Sequence, residues 1–220
     1  MIITILSVIS LMVLAYLLGS IPSAVWIGRR FYNIDVREHG SKNAGSTNTL
    51  RVLGRKAALP VFILDILKGF IAVSLFGLLS YDSNISDVWI VNFSIIAVFI
   101  AVLGHIFPIF ADFRGGKGVA TLVGAVTGIF PSVVLPVFGV WLLLLIIFHY
   151  VSLASMVAGC CFPIFTLLSP AASESLAFVI FAFCVAGLLI WTHRTNIERL
   201  KNGTESKIYL CKPKEKGEQS

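Results

Sequence analysis

Residues 119–168, "VATLVGAVTGIFPSVVLPVFGVWLLLLIIFHYVSLASMVAGCCFPIFTLL", form a run of 50 residues without Lys, Arg, Asp or Glu. A single helix of this length would be about 75 Å long, whereas the hydrocarbon core of a bilayer is about 30 Å thick. Pro131 and the pair His149 and Tyr150 divide the run into segments of roughly 13, 17 and 17 residues. The chain therefore has to turn within this stretch.

The overall composition is that of a membrane protein. Hydrophobic residues make up 57% of the 220 positions and charged residues only 13%, whereas a soluble domain is about half apolar and about a quarter charged. The net charge of +6 does not indicate nucleic acid binding, because nearly all charges lie between apolar runs. We expect no disulfide, because the four cysteines show no framework spacing, and neither a metal nor a cofactor.

Four further apolar runs have the length of a membrane helix, about 20 residues, or come close to it. The first run follows the chain start without a preceding basic region and is too long for a secretory signal, so we expect it to remain as an uncleaved span. The four runs are Ile2 to Ile27, Ala57 to Ser80, Val88 to Ala111, and Leu176 to Thr192.

The basic residues indicate which segments share a side of the membrane. All Lys and Arg residues except Lys68 lie in segments 28–56 and 112–118 or in the tail from His193 onward. The connectors 81–87 and 169–175 carry acidic residues and no basic ones. Because cytoplasmic loops are enriched in Lys and Arg, the three basic segments are predicted to face the cytoplasm.

This orientation limits the number of helices. A chain that is inside at 112–118 and outside at 169–175 must cross an odd number of times in between, and three short crossings fit better than one. We therefore predict an all-α integral membrane protein with seven transmembrane helices, an outside N-terminus and a cytoplasmic C-terminus, with five helices as the alternative. Residues 1–210 are predicted to form one domain, and 211–220 a disordered cytoplasmic tail.

The segment "FRGGKG", residues 113–118, has the composition of an anion site. Gly115, Gly116 and Gly118 allow backbone N–H groups to point into a concavity, Lys117 adds a charge, and a helix begins directly afterwards. The segment is not a nucleotide P-loop, since a glycine follows the lysine. A flexible turn with a cytoplasmic lysine is the alternative interpretation.

Two other polar segments belong to the same predicted side. In "HGSKNAGSTNTLR", residues 39–51, short hydrogen-bonding side chains such as Ser41 and Asn43 surround Gly45, and Arg51 can hold two oxygens. More such residues are present than helix capping needs, so we predict ligand binding. In "HRTNIERLKNGTE", residues 193–205, His193 and Asn196 are spaced to share a helical face.

The remaining charged residues have simpler interpretations. Asp65 and Lys68, three residues apart within an apolar run, are expected to neutralise each other, and His105 is a candidate for lining the site. Glu198 and Glu205 are expected to form surface pairs with neighbouring basic residues.

Taken together, three segments resemble the motifs of a known enzyme family. They are "GSKNAGSTNTLRVLGRKAA", "GHIFPIFADFRGGKGVAT" and "HRTNIERLKNGTESK", beginning at residues 40, 104 and 193. In this order they resemble the bacterial acyl-phosphate:glycerol-3-phosphate acyltransferases, the PlsY family. The resemblance covers almost the whole chain, including "LLGSIPSAVWIG" and "DILKG" in the first two apolar runs.

The resemblance implies a reaction: transfer of a fatty acyl group from acyl phosphate to the 1-hydroxyl of sn-glycerol 3-phosphate, giving lysophosphatidic acid and phosphate for phospholipid synthesis. Acyl phosphate, glycerol 3-phosphate and membrane lipids would be the partners, and an enzyme that produces acyl phosphate is a further candidate. The site would face the cytoplasm at the bacterial inner membrane. A small transporter of phosphate or organic anions is the alternative.

The resemblance also assigns roles to residues. Catalytic roles are implied for Ser41, Asn43, Lys117, His193 and Asn196, and we expect the substrate phosphates to bind Arg51, Gly45, Gly115, Gly116, Lys117 and Gly118. Family members commonly carry glycine where this chain has Lys42. The base that accepts the hydroxyl proton is expected to be a substrate phosphate, with His193 as the alternative.

Overall fold

The computed structural model describes residues 2–209, so the predicted tail 211–220 lies outside the described residues. The described part is helical, with short 3₁₀ turns at 36–38, 75–81 and 109–111. Its α-helices are α1 (Ile2–Gly19), α2 (Ser23–Tyr32), α3 (Ser46–Leu53), α4 (Arg55–Ser74), α5 (Asp87–Ile106), α6 (Val119–Thr127), α7 (Pro131–Phe148), α8 (Val151–Leu168), α9 (Pro170–Ser173), α10 (Leu176–Thr192) and α11 (Arg194–Lys201).

Several of these helices are long and apolar enough to cross a membrane. Five qualify alone within the described residues, namely α1, α7, α8, and α4 and α5 with their 3₁₀ extensions. Helix α10 qualifies together with α11, from which it is bent by 56°. The all-helical, multi-pass architecture predicted from the sequence is confirmed.

The first apolar run differs from its prediction as one span. Helix α1 ends at Gly19, and the amphipathic α2 begins only at Ser23, after Pro22. Proline lacks an N–H group and its ring disturbs the preceding turn, which explains the break. The carbonyl of Ile21 at this break accepts a hydrogen bond from the Lys68 ammonium at 2.8 Å.

The predicted turns within 119–168 are confirmed. Helix α7 begins with Pro131, where a missing N–H costs no helical hydrogen bond. It ends at Phe148, and the next residue, His149, adopts a left-handed conformation with φ of 62°. The first of the three segments is shorter than expected, since α6 contains only nine residues.

Close helix crossings hold the bundle together. A Cβ atom on Gly19 would lie 2.1 Å from the Ala101 carbonyl oxygen, where α1 crosses α5. A Cβ atom on Gly124 would lie 1.9 Å from the Ile66 carbonyl oxygen, where α6 crosses α4. Small residues at such crossings allow helix backbones to approach closely, and the resulting van der Waals packing is one of the interactions that drive helix association in membranes.

The chain between α5 and α6 folds back into the bundle. The N–H of Gly115 donates to the Ile106 carbonyl, and that of Gly116 to the His105 carbonyl, both at 3.1 Å. Gly118 lies beside Val102. Helix α6 therefore starts deeper in the bundle than the end of α5, and Lys117 lies among the helices.

The predicted basic segments meet at one end of the bundle. There Arg114 of the second segment pairs with Glu38 of the first at 3.3 Å, and Nη2 of Arg51 in the first segment lies 3.8 Å from Oε1 of Glu205 in the tail. We call this the basic end. At the opposite end the hydroxyl of Thr4 donates to Asp82 of an acidic connector.

Candidate active site

A cavity of about 680 Å³ extends from the basic end into the helical bundle. Its deeper part is apolar and lies among α4, α6, α7, α8 and α10, with lining residues that include Phe62, Ile66, Val134, Phe138, Trp141 and Phe162. Its polar part contains eight of the ten residues with predicted site roles, namely Ser41, Asn43, Gly45, Arg51, Lys117, Gly118, His193 and Asn196. The three sequence segments therefore form one site.

The loop before α3 is organised by the buried Asn48. Its Oδ1 accepts hydrogen bonds from the Ser41 N–H at 2.8 Å and the Ser41 hydroxyl at 3.1 Å. Its Nδ2 donates to the carbonyls of Val36 at 2.7 Å and His39 at 3.1 Å. Asn48 thus uses both ends of its amide for the protein itself, and it holds Ser41 at the cavity.

Arg51 extends from the last turn of α3 into the polar part of the cavity. Its Nε is buried and has no hydrogen-bond partner among the described residues. Its Nη2 lies 3.8 Å from Oε1 of Glu205, which is beyond hydrogen-bonding distance. Since a buried donor without a partner is costly, this guanidinium is suited to an anionic ligand.

The glycine-rich segment 115–118 differs in part from its prediction. The N–H groups of Gly115 and Gly116 donate to carbonyls of α5, and neither residue lines the cavity. The expectation that these two N–H groups form an anion cradle is therefore wrong. The glycines are needed for packing, since a Cβ atom on Gly115 would lie 2.0 Å from the His105 carbonyl oxygen.

Lys117 is the cation that this segment presents to the cavity, and its ammonium donates a hydrogen bond to Oδ1 of Asn196. Burial lowers the pKa of Lys117 to about 8, and the neighbouring cations Arg199 and Arg51 act in the same direction, while Glu205 opposes them. Gly118, which follows, has φ of 79° and lies directly before α6. Glycine adopts this left-handed conformation without steric cost.

His193 and Asn196 lie at the bend between α10 and α11, and both side chains are buried and line the cavity. Nδ1 of His193 lies 2.8 Å from the Leu189 carbonyl oxygen. A carbonyl only accepts, so Nδ1 carries a proton in this contact. In the neutral imidazole, Nε2 is therefore the acceptor.

The site also contains a carboxylate whose role the sequence interpretation missed. Glu205 was expected to form a surface pair, and it does accept from Arg199 Nε at 2.7 Å, but its side chain is only 2% exposed. It also accepts from Ser152 of α8 at 2.8 Å and from Asn196 at 2.7 Å. The polar segment 203–209 has no hydrophobic periodicity, so its burial had no sequence signal.

The intramembrane charges form the expected pair. Lys68 and Asp65 are 2.8 Å apart, and Asp65 also accepts from the Ser23 hydroxyl at 3.0 Å. His105 contacts the Thr121 hydroxyl through Nδ1 at 3.0 Å. Asp65 and His105 both line the cavity, as predicted for His105.

Comparison with known proteins identifies the family. Residues 9–203 match the family model described as glycerol-3-phosphate acyltransferase. The glycerol-3-phosphate acyltransferase of Streptococcus equi subsp. equi is 43% identical over 208 residues, covering 92% of this chain and 93% of the relative. That of Fusobacterium nucleatum is 41% identical over 196 residues, with 89% and 95% covered.

Solved structures share the fold. The crystal structure of PlsY (YgiH), an integral membrane glycerol 3-phosphate acyltransferase, in its glycerol 3-phosphate form is 38% identical, with a TM-score of 0.79 over 92% of this chain and 96% of that one. The lysophosphatidic acid form has the same identity and coverage and a TM-score of 0.76. The chain therefore belongs to the glycerol-3-phosphate acyltransferase family.

Proposed function

We propose that this protein transfers a fatty acyl group from acyl phosphate to the 1-hydroxyl of sn-glycerol 3-phosphate, forming lysophosphatidic acid and phosphate. The observation that carries the proposal is the composite cavity, cationic at one end and apolar at the other. Both substrates carry phosphate and one carries an alkyl chain, so the two parts of the cavity match them. The related enzymes named for this acyl acceptor support the same reaction.

The cations of the site would hold the phosphates. Arg51 offers its unpartnered Nε and Lys117 its ammonium, with the backbone of Gly45 and Gly118 alongside. Ser41 and Asn43 would orient glycerol 3-phosphate or the acyl carbonyl. Gly115 and Gly116 support Lys117 through packing and make no phosphate contact.

The chemistry requires positioning more than a protein nucleophile. The 1-hydroxyl oxygen attacks the acyl carbonyl, and the resulting oxyanion collapses with breakage of the bond from the carbonyl carbon to the phosphate oxygen. Phosphate is a good leaving group and, in our proposal, a substrate phosphate takes the hydroxyl proton. Asn196 and His193 lie where they can orient the hydroxyl, and the cations stabilise the negative charge.

The proposed topology has seven crossings, formed by α1, α4, α5, α6, α7, α8 and α10, with the N-terminus outside and the basic end in the cytoplasm. Helix α6 would be about 14 Å long, but it begins beside Val102, below the end of α5, and so has less distance to cover. Residues 1–210 would act as one domain in the bacterial inner membrane.

Thiol labelling tests this topology. In a cysteine-free background, single cysteines at Ser83 and Ser173 should react with a membrane-impermeant maleimide in intact cells. Cysteines at Lys56 and Lys201 should react only after the membrane is opened. All four positions are exposed. Reaction of the Lys56 position in intact cells would refute the proposed orientation.

A donor comparison tests the reaction. Purified protein with glycerol 3-phosphate and palmitoyl phosphate should form lysophosphatidic acid, detected by mass spectrometry, whereas palmitoyl-CoA should give none above the blank. The Lys117→Ala variant should lower turnover by about 100-fold or more. Absence of product from acyl phosphate, together with uptake of labelled glycerol 3-phosphate into sealed proteoliposomes, would favour the transporter alternative.

A further inference from the structure

The segment after α11 folds back against the turn between α7 and α8. The Ile208 N–H donates to the His149 carbonyl at 2.7 Å, and the rings of His149 and Tyr209 lie 4.6 Å apart. The ammonium of Lys207 lies 5.5 Å from the ring of Tyr150. These contacts hold the segment that contains Glu205, so that Glu205 lies in the wall of the polar part of the cavity.

Glu205 is buried, and both of its carboxylate oxygens accept hydrogen bonds. Its Oε1 accepts from Asn196 Nδ2 and the Ser152 hydroxyl, and its Oε2 accepts from Arg199 Nε. Burial raises the pKa of this carboxyl, but the hydrogen bonds from Arg199, Asn196 and Ser152 outweigh it and bring the pKa below its ordinary value. Glu205 is therefore a carboxylate at neutral pH.

Glu205 and Lys117 together determine how the Asn196 amide is oriented. A carboxylate only accepts hydrogen bonds, so the amide must present its NH₂ group to Glu205. Its oxygen then faces Lys117, whose ammonium only donates. A neutral amide at position 205 can face either end of Asn196, so it would leave this choice to Lys117 alone.

We propose that Glu205 is a positioning residue for the acyl transfer reaction: through Asn196 it holds the Lys117 ammonium, and by its charge it holds the Arg51 guanidinium, in the arrangement that receives the substrate phosphates. The proposal rests on the proposed function. Glu205 does not need to touch a substrate. Its Oε1 lies 3.8 Å from Arg51 Nη2, which leaves that guanidinium its hydrogen-bonding capacity.

A positioning role through Lys117 changes the pH profile in a predictable direction. The charged or titratable groups that face Lys117 are Arg51 of α3, Arg199 of α11, His193 and Glu205. Glu205 raises the pKa of Lys117 and Arg199 lowers it. Removing the charge of Glu205 should therefore move the alkaline decline of activity to lower pH, and removing the charge of Arg199 should move it to higher pH.

The experiment compares Glu205→Gln with Glu198→Gln, an exposed position three residues before Lys201. In Glu205→Gln, kcat should fall by about 10- to 100-fold, and the alkaline decline of kcat/KM should move to lower pH. Glu198→Gln should match the wild type in both. If the alkaline decline of kcat/KM occurs at the same pH in Glu205→Gln as in the wild type, the positioning role is overturned. If the wild type itself is inactive, the proposed function is overturned.

A second variant keeps the test independent of how well Glu205→Gln folds. Arg199→Gln retains Glu205 and should move the alkaline decline to higher pH, with Lys201→Gln as its exposed control. An unchanged pH profile in Arg199→Gln would contradict electrostatic coupling of the Arg199 and Glu205 pair to Lys117. Thermal unfolding in detergent identifies variants that have lost their fold.

Discussion

Lys117 and Asn196 are 79 residues apart in the sequence, and the ammonium of Lys117 donates a hydrogen bond to the amide oxygen of Asn196. This bond joins the glycine-rich segment to the helix that follows the last apolar run. The two segments have no common pattern, and only the bundle brings them together.

The first prediction concerns pH. Burial lowers the pKa of Lys117 to about 8, so the ammonium is charged below this pH and becomes neutral above it. Affinity for phosphate requires the charge, and kcat/KM for glycerol 3-phosphate should fall about tenfold per unit above pH 8. Bound phosphate stabilises the ammonium, so kcat itself should decline at higher pH.

The control for this profile is Lys117→Arg, because a guanidinium stays charged throughout the range. Its absolute activity should be lower, since the planar group does not reproduce the bond to Asn196, but the decline near pH 8 should disappear. Protein-free reactions correct for donor hydrolysis. An identical decline in Lys117→Arg would assign the titration to a different group.

The second prediction concerns His193. If a substrate phosphate accepts the proton, His193→Ala should reduce kcat by less than about 100-fold. His193→Asn, which can keep a donor toward the Leu189 carbonyl, should retain more activity than His193→Ala. A loss of about 10²- to 10⁴-fold in both variants, with KM unchanged, would instead identify His193 as the general base.

The third prediction concerns Lys42, whose φ is 57°. This left-handed conformation costs a residue with a side chain about 1 to 2 kcal/mol, and glycine avoids the cost. Lys42→Gly should therefore raise the thermal unfolding temperature in detergent and keep activity. Lys42→Ala removes the charge but keeps the strain, so its unfolding temperature should not rise. An equal rise in both variants would show that the charge, and not the backbone strain, causes the effect.

The fourth prediction concerns Gly115. A Cβ atom there would lie 2.0 Å from a backbone carbonyl oxygen of α5, which has no freedom to move aside. Gly115→Ala should displace Lys117 and lower kcat by about 100-fold. Gly187→Ala in α10, with no atom within 4 Å of the added Cβ, is the control. Near-normal activity of Gly115→Ala would show that the segment adapts.

Much of the fold follows from hydropathy and charge. The predicted run Leu176 to Thr192 has the same bounds as helix α10. The chain turns at Pro131 and at His149, as the proline and the polar pair His149 and Tyr150 indicate. The break at Pro22 was missed, because the apolar run continues through it. Mean hydropathy is an average over a window of residues, and a single proline at the bend hardly changes this average.

The candidate site was recovered in part. The residue types that bind phosphate, such as Arg51 and Lys117, were recognisable because few other roles suit them. The N–H groups of Gly115 and Gly116 were assigned wrongly, because a glycine pattern does not reveal which carbonyls lie opposite. Glu205 was missed for a related reason: it is buried because the chain folds back after α11, and the residues around Glu205 have no sequence pattern that indicates this.

The central claim is that one cavity holds the phosphates at the basic end and the alkyl chain among the helices. Photocrosslinking with lysophosphatidic acid carrying a diazirine at the end of its chain tests it, with mass spectrometry locating the adducts on α7. We expect adducts at the cavity residues Val134, Phe138 or Trp141, which excess unlabelled lysophosphatidic acid should abolish. Adducts confined to the outward residues Leu135, Leu143 and Ile147, unaffected by competitor, would contradict the claim.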